Sequence, residues 1–405
     1  MPWEKLSKIR GKLMMNMFMK RANELKEEII AIRRDLHSMP EIMNDLPKTT
    51  AYVKAKLLEM GIEAQEIISS GLVALLGGKK PGKTILIRAD MDGLNMTEDS
   101  GLEFASTTPY AHTCGHDLHA AMLLGAAKML KEREDEIEGT IKLMFQPGEE
   151  YFIGAKAMID AGVLENPKVD AAIGMHTMLN APVGTIGYQH GYTLSSVDGF
   201  KITIKGKGCH GAMPEKGVDP INVGVHVYLG LQELIAREVS GFETAIITLG
   251  QFSAGAAPNI IPDTCVLQGT MRTYSKEVRE YLFNRMQEII DLTCKKYRAS
   301  FEYEVLSNVP SLYTDPELLD EMLGYVKEMD ADFTLLKDQR ATPTDDIAFI
   351  SELVPTAHFQ FNCKMQDERG AFPHHHPKVV FDEDVLPIGA AVNAQCAFNW
   401  LKNNK

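Results

Sequence analysis

Three strand-like apolar runs in this chain are each followed by side chains that can bind a metal ion. The groups are the segment CGHDLH at residues 114–119, the segment QPGEE at residues 146–150, and His176. In an open α/β sheet, ligands bind in the crevice at the carboxyl ends of the strands. Thiolate, imidazole and carboxylate groups are common protein ligands of zinc and related divalent metals. The pattern therefore predicts an α/β sheet with a metal site at one edge.

Strand and helix patterns alternate through the first part of the chain. An amphipathic first helix is predicted from residues 1–20 towards Arg34, and a second helix ends near residue 61. Residues 84–89 are continuously apolar, as a buried strand is, residues 117–131 favour a helix, and residues 140–145 favour another strand. Alternation at this pace requires helical crossovers between parallel strands. We predict an α/β fold with a mixed, mainly parallel sheet and helices on both faces.

The pattern changes near residue 195. Residues 199–205 alternate between apolar and polar side chains, as a strand with one exposed face does. The next segments favour a helix, two strands, a helix and a strand, at residues 219–238, 243–252, 263–274, 275–297 and 300–306. This β-α-β-β-α-β order is that of a ferredoxin-like α+β domain. We predict an inserted domain at 195–309, which divides the first domain into 1–194 and 310–405.

Charge and apolar content exclude several classes of protein. With 42 basic and 55 acidic residues the net charge is −13, which argues against nucleic acid as a partner. The sequence has no run of 18 apolar residues, so we expect no contact with a membrane. Residues 1–20 lack a small-residue cleavage site, so no signal peptide is predicted. The six cysteines are then expected to be reduced thiols in a cytoplasmic protein.

The metal-binding interpretation depends on several groups together. Cys114 and His116 are two residues apart before a helix, so that both could reach one cation, but alone they are equally explained by a buried cysteine beside a surface histidine. Glu149 and Glu150 are adjacent carboxylates, which repel each other unless a cation or a proton intervenes. At a metal site one can ligate while the other accepts a proton from water. A solvated acidic turn is the alternative.

Further candidates lie before and after these groups. Asp90 and Asp92 end a strand, where they could ligate a metal or orient a ligating histidine, and we favour orientation. Three consecutive histidines at residues 374–376 lie between two prolines. Either one of them is a metal ligand contributed by the last part of the fold, or the three form a weak metal-binding patch on the surface.

The predicted inserted domain carries three candidates of its own. His210 lies in the glycine-rich segment GKGCHG, which is also typical of a plain hairpin. Arg272, on a strand neighbouring Asn259, is a residue type that binds carboxylates through two hydrogen bonds, although an exposed surface charge explains it equally well.

Taken together, these motifs resemble a family of two-metal aminoacylases and carboxypeptidases. The resemblance is to the branch with indole-acetyl-amino-acid hydrolases, hippurate hydrolase and N-acetyl-diaminopimelate deacetylase, and it extends from about residue 34 to 395. It rests on six segments in the same order: RRDLH at 33–37, IRADMD at 87–92, HTCGHD at 112–117, FQPGEE at 145–150, GCHGAMP at 208–214 and NIIPD at 259–263.

The resemblance implies two divalent metal ions and a role for each candidate. The implied metal ligands are Cys114, His116, Glu150, His176 and one of the three histidines, of which His375 fits the family's His-x-Pro spacing best. Glu149 is implied as the catalytic base. Asp117 is expected, with Asp90 and Asp92, to orient the ligands.

The resemblance also implies roles for the inserted domain, which would serve as lid and as the contact of a homodimer. His210 would polarise the scissile carbonyl, in the active site of the partner subunit. Asn259 and Arg272 would hold the free carboxylate of the substrate.

The expected reaction is hydrolysis of the amide bond of a small-molecule N-acyl amino acid. Zinc or manganese is the expected metal, with cobalt and nickel as alternatives, because Cys114 is a soft ligand whereas imidazole and carboxylate accept several metals. A dipeptidase or carboxypeptidase of the same family is the alternative activity, and an inactive metal-binding scaffold is the alternative outside enzymes. The chain departs from the family pattern at His374, where leucine is usual, at residues 342–349 and at Thr356. The last two lie in the region of the family's acyl pocket, so that substrate choice can differ.

Overall fold

The computed structural model describes residues 17–329 and 333–405. The predicted start of the first helix within residues 1–16 lies outside these ranges, and the chain is helical over residues 17–24. The chain divides into two compact units. The first extends to Gly191 and resumes over Tyr313–Arg340 and Asp345–Lys405, whereas the second comprises Tyr192–Leu312 and Ala341–Thr344. The catalytic role and the lid role expected of the two parts stay predictions.

Helices and strands alternate along most of the chain. In sequence order they are α1 (Lys26–His37), α2 (Pro47–Glu59), β1 (Ala64–Ile68), β2 (Gly71–Gly77), β3 (Thr84–Asp90), α3 (His116–Lys131), β4 (Thr140–Gln146), α4 (Gly154–Asp160), β5 (Ala171–Met178), β6 (Thr185–Gly187), β7 (Gly191–Leu194), β8 (Val197–Lys205), β9 (Cys209–His210), α5 (Pro220–Glu238), β10 (Ala245–Ala254), β11 (Ile260–Ile261), β12 (Thr264–Thr273), α6 (Lys276–Lys296), β13 (Ser300–Val309), β14 (Leu312–Thr314), α7 (Pro316–Lys327), β15 (Thr334–Leu336), α8 (Ala348–Ser351), β16 (Thr356–Asn362) and α9 (Val385–Asn403).

An eight-stranded sheet organises the first unit. Its strand order is β1-β2-β4-β3-β5-β16-β6-β15. The pairs β4–β3, β3–β5, β5–β16 and β6–β15 are parallel, and the pairs β1–β2, β2–β4 and β16–β6 are antiparallel. Every residue of β3 is buried, as its continuous apolar sequence predicts. The predicted mixed, mainly parallel sheet is confirmed.

Helices cover both faces of this sheet. Successive side chains of a strand point to opposite faces. In β5, Gly174 lies under the Ile347 side chain next to α8, whereas Met175 accepts a hydrogen bond from Asn393 of α9 at 3.0 Å. Helices α1, α3 and α9 pack together on the α9 side and share one hydrophobic core with the sheet. Gly125 of α3 allows their close approach, because a Cβ there would lie 2.8 Å from Ile29 Cδ1.

The second unit has a sheet of four antiparallel strands in the order β10-β12-β8-β13. Helices α5 and α6 pack against it and bury a separate apolar core. The predicted ferredoxin-like order of elements is confirmed. The alternation predicted for β8 begins only at Lys201, since residues 197–200 are all buried. Among them is the polar Asp198, which is covered by a salt bridge of 2.7 Å to Arg279.

The described residues include no helix that combines the length and the apolar character needed to cross a membrane.

We predict that Lys142 stabilises the first unit. Its side chain is 2% exposed, and its Nζ donates hydrogen bonds to the carbonyls of Val163, Glu165 and Pro167 at 2.9, 2.8 and 2.9 Å. Lys142→Met keeps the aliphatic stem but leaves these acceptors without their donor. We expect the free energy of unfolding to fall by about 1–3 kcal/mol, measured by denaturant titration.

The matched control is Lys156→Met. Lys156 is 61% exposed and forms only a surface pair with Asp160, so we expect little change. Equal stability of the two variants would contradict a structural role for Lys142.

Candidate metal centre

The turn that carries Glu149 and Glu150 follows directly on β4. Asp92 fixes it, because its two carboxylate oxygens accept the backbone N–H groups of Glu149 and Glu150 at 3.0 and 3.1 Å. Gly148 has a φ of 66°, which favours glycine. A Cβ at Gly148 would also lie 2.2 Å from Asn44 Oδ1. The turn is therefore held to the segment after β3 and positions two carboxylates at the edge of the sheet.

Two of the three predicted strand ends are wrong in detail. Cys114 and His116 follow a loop that separates them from β3, and α3 begins at His116. The segment before Cys114 is rich in serine and threonine, and forms an isolated bridge between Leu94 and Ala111. His176 lies inside β5, which continues to Met178.

The structure nevertheless brings the predicted ligands together. Cys114 Sγ lies 3.5 Å from His176 Nε2, and His375 Nε2 lies 3.4 Å from Glu150 Oε1. Three overlapping groups have their ligand atoms within 4.8 Å of one another: Cys114, His116 and His176; Cys114, Glu150 and His375; and His116, Glu149 and Glu150. Cys114 is common to the first two groups.

The three consecutive histidines have different surroundings. His375 faces Glu150, and its backbone N–H donates to the Thr113 carbonyl at 3.0 Å. The ring of His374 lies 5.7 Å from that of His176. His376 stacks on Phe372 at 4.6 Å. The geometry therefore favours His375 as the ligand beside Glu150.

The chemistry of these residues fits a divalent metal. Within residues 17–329 and 333–405, neither ring nitrogen of His116 has a hydrogen-bond partner, and neither does Glu150 Oε1, although all three atoms are buried. The nearest carboxylate to the His116 Nδ1 atom is that of Asp92, at 3.3 Å. Burial lowers the pKa of His176 well below its ordinary value and keeps the imidazole neutral, which is the form that ligates. Buried polar groups without partners are costly, and a cation would satisfy them.

Glu149 differs from Glu150 in its neighbours. It is 4% exposed and groups with Asp345 and Asp346 within 4.8 Å. Burial, followed by the Asp345 carboxylate, raises the pKa of Glu149 well above its ordinary value. Burial alone would raise the pKa of Glu150, but the imidazoles of His375, 3.4 Å from Glu150 Oε1, and of His116 oppose it, and the pKa is lowered.

Several residues beneath this centre were not predicted from the sequence. Arg88 is fully buried, and its guanidinium contacts Asp90 at 2.6 Å, Asp345 at 3.0 Å and Asp346 at 2.9 Å. The signal that could have found it is a charged residue in the middle of an apolar strand, since a buried charge requires partners.

His119 belongs to the segment CGHDLH, but the sequence predicts no particular role for it. Its Nδ1 lies 2.6 Å from Asp90 Oδ1, and its Nε2 accepts the Thr177 backbone N–H at 2.8 Å. Asp90 thus contacts Arg88 and His119, while its Oδ2 stays 3.8 Å from His116 Nε2. Asp117 points elsewhere, to Arg33 at 2.7 Å and His37 at 2.8 Å. It ties the first turn of α3 to α1.

The second unit holds the remaining predicted residues. His210 pairs with Ile260, and the Gly211 N–H donates to the Asn259 carbonyl at 2.8 Å, so His210 and Asn259 lie on neighbouring segments. Arg272 lies on β12, where its Nη1 donates to Thr344 Oγ1 at 2.6 Å.

Comparison with known proteins agrees with this arrangement. Residues 86–399 match the model of Peptidase family M20/M25/M40. N-acetyl-L-cysteine deacetylase of Bacillus subtilis (strain 168) is 35% identical over 366 residues, which cover 89% of this chain and 85% of the relative. Thermostable carboxypeptidase 1 of Saccharolobus solfataricus is 34% identical over 383 residues, covering 93% of this chain and 96% of the relative.

A solved structure is similar along nearly the whole chain. It is that of the Bacillus subtilis YXEP protein, described as a dinuclear metal binding peptidase, with a TM-score of 0.81 and 31% identity over 94% of this chain and 99% of that one. Fold and ligand groups together define a metallohydrolase. The chain belongs to peptidase family M20/M25/M40, and the resemblance found in its sequence is confirmed.

Proposed function

We propose that this protein is a metal-dependent amidohydrolase that cleaves N-acyl amino acids into a carboxylic acid and a free amino acid. The observation that carries the proposal is the pair Glu149–Glu150, in which Glu150 groups with Cys114 and His375 while Glu149 groups with Asp345 and Asp346. One carboxylate is thus available for a metal and the other for a proton. The N-acetyl-L-cysteine deacetylase relative supports this type of substrate.

Two divalent cations held by Cys114, His116, Glu150, His176 and His375 would polarise the scissile carbonyl and acidify water. Glu149 then accepts a proton from the attacking water while the oxygen of that water bonds to the carbonyl carbon. As the C–N bond breaks, Glu149 returns the proton to the leaving nitrogen. Asp92 holds the backbone of both glutamates and so keeps Glu149 in place for both transfers.

Three residues of the second unit complete the proposal. Arg272 and Asn259 hold the α-carboxylate of the substrate, and His210 stabilises the developing oxyanion, in accordance with the family resemblance. The supporting observation is that the half-buried Arg272 has a hydroxyl partner, Thr344 Oγ1, and no carboxylate partner within the described part of the chain. Its guanidinium keeps the capacity to bind an anion.

The metal we propose is zinc or manganese, with cobalt and nickel as alternatives. The Cys114 thiolate favours zinc, whereas the imidazole and carboxylate ligands accept all four. We further propose a cytoplasmic location, which is supported by the six free cysteines, because exported proteins generally oxidise such thiols.

A carboxypeptidase or dipeptidase is the second candidate, and the thermostable carboxypeptidase relative favours it. A dipeptide differs from an N-acyl amino acid by a free α-amine, which requires an anionic partner near the scissile bond. An inactive metal-binding scaffold is the third candidate, and the intact Glu149–Glu150 pair argues against it.

We also propose a homodimer formed through the second unit. Helix α5 exposes Ile221, Val225, Tyr228 and Leu229, which are between 38% and 50% exposed and recur at helical spacing. The adjacent β10 is at the edge of its sheet. An exposed apolar stripe beside a strand edge is typical of a protein–protein interface.

Substitution of Glu149 tests its role as the base. Glu149→Gln removes the base without a change of size, so we expect kcat to fall by about 10²–10⁴-fold while two metal ions per chain are retained. Glu150→Gln is the matched variant, and we expect it to lose metal. Full activity of Glu149→Gln in steady-state assays would show that another residue is the base.

Enzyme reloaded with a single metal tests the proposed substrate and metal. We expect enzyme reloaded with zinc or manganese to release the amino acid from N-acetyl, N-benzoyl or longer N-acyl amino acids, and a chelator to abolish the release. Amides that lack an α-carboxylate should be poor substrates. Release from dipeptides alone would establish the peptidase, and silence with metal bound would favour the scaffold.

The mass of the protein in solution tests the proposed homodimer. We expect light scattering to give twice the chain mass for the wild type, and the chain mass for a Val225→Glu, Leu229→Glu double variant, because charges would be buried in the interface. Leu292→Glu, at a 55% exposed position of α6, is the control and should stay dimeric. A monomeric wild type would refute the dimer.

A further inference from the structure

We propose that His374 contributes an additional imidazole to the cation held by Cys114 and His176. The proposal rests on the metal centre of the proposed function and is independent of whether the protein hydrolyses amides. Two successive histidines would then serve different parts of the centre. His374 lies beside His176, and His375 lies beside Glu150.

The position of His374 is the first argument. Its ring lies edge-on to the ring of His176, with centroids 5.7 Å apart. His176 Nε2 in turn lies 3.5 Å from Cys114 Sγ. The ring centroid of His374 also lies 5.5 Å from that of Phe381. His374 is thus packed against a predicted ligand and does not project into solvent as a member of a surface patch would.

The hydrogen bonds of the ring are the second argument. The Thr177 carbonyl accepts a hydrogen bond from His176 Nδ1 at 2.6 Å, and the Thr177 backbone also lies near the His374 ring. The Thr177 N–H is directed at His119, so the carbonyl is the group available to both rings. A histidine that gives one N–H to a backbone carbonyl presents its other nitrogen as a metal ligand.

The free nitrogen of His374 is the third argument. Its Nε2 is buried and has no hydrogen-bond partner anywhere in the described ranges. A buried polar atom left without a partner costs about 1–3 kcal/mol, which a residue used only for packing would avoid. His376 contrasts with it, because its Nδ1 accepts the Lys378 N–H at 3.1 Å.

The backbone explains how neighbouring side chains reach one centre. In an extended segment, successive side chains point in opposite directions. His375 instead has a φ of 61°, in the left-handed region that a non-glycine residue rarely adopts. Its N–H is held by the Thr113 carbonyl at 3.0 Å, next to Cys114. Strain of this kind persists where the surrounding structure requires it, often at functional sites.

The direct test uses the unaltered protein. Crystals of the wild type grown with zinc would be measured at the zinc absorption edge to locate the metal by anomalous scattering. We expect a zinc peak about 2.0–2.1 Å from His374 Nε2, the ordinary zinc–imidazole distance. Zinc bound by Cys114 and His176 but more than about 3 Å from this nitrogen would overturn the proposal.

A variant tests the same point in solution. His374→Phe keeps an aromatic ring against His176 and Phe381 and removes only the nitrogens, and His376→Phe is the control. In cobalt titrations we expect one of the two sites of His374→Phe to bind at least about 10-fold more weakly than in the wild type, by analogy with the loss of ligand-supporting groups. Its visible d–d bands should also change, whereas the thiolate-to-cobalt band of Cys114 stays. The control should keep both affinities and all bands.

These outcomes separate the two proposals. Wild-type affinities and an unchanged cobalt spectrum in His374→Phe would overturn the role of His374 even if the enzyme is an active, chelator-sensitive amidohydrolase. A zinc peak at His374 in a protein that cleaves none of the amides would leave this inference standing and refute the proposed activity. If His374→Phe does not fold, the diffraction experiment on the wild type decides alone.

Discussion

The buried guanidinium of Arg88 holds together the parts of the chain that build the metal centre. It contacts the last residue of β3, Asp90, and two carboxylates that precede α8, Asp345 and Asp346. It also donates to Gln146 at the end of β4, at 2.9 Å. A buried charge is stable only when its partners are in place, so these segments are fixed relative to one another. The turn of Glu149 and Glu150 follows on one of them.

Charge balance then explains the different surroundings of the paired glutamates. Asp90 shares its two oxygens between Arg88 and His119, and Asp346 receives Arg88, Gln146 and the Ala155 N–H. The single positive charge of Arg88 faces three carboxylates, those of Asp90, Asp345 and Asp346. Glu149 lies beside this excess of negative charge. Glu150 lies instead among the thiol and imidazoles of Cys114 and His375. Two chemically identical side chains on one turn therefore have different electrostatic surroundings because they point to different neighbours.

Much of this could be predicted from the sequence, because the signals are local. Continuous apolar character identifies β3, and alternation with turn residues identifies the order of elements in the second unit. The motifs that contain Cys114 and Glu149 are short and distinctive. The predicted position of Cys114 at the end of a strand was wrong, because the motif itself does not reveal the loop that separates it from β3. The partners of Arg88 could not be predicted either, since Asp345 is 257 residues away in the chain.

The distribution of the first unit along the chain has a consequence for its synthesis. Arg88 and Asp90 emerge from the ribosome long before Asp345, His375 and helix α9. Helix α9 packs on α1 and α3. A nascent chain that ends within the second unit therefore carries Cys114, His116 and Glu150 with neither the last histidine nor the carboxylate partners that Arg88 finds before α8. Such a chain presents an incompletely paired guanidinium and an incomplete set of metal ligands. The second unit, in contrast, consists of the continuous segment Tyr192–Leu312 and four further residues. All residues of its separate apolar core are therefore synthesised before the final third of the first unit.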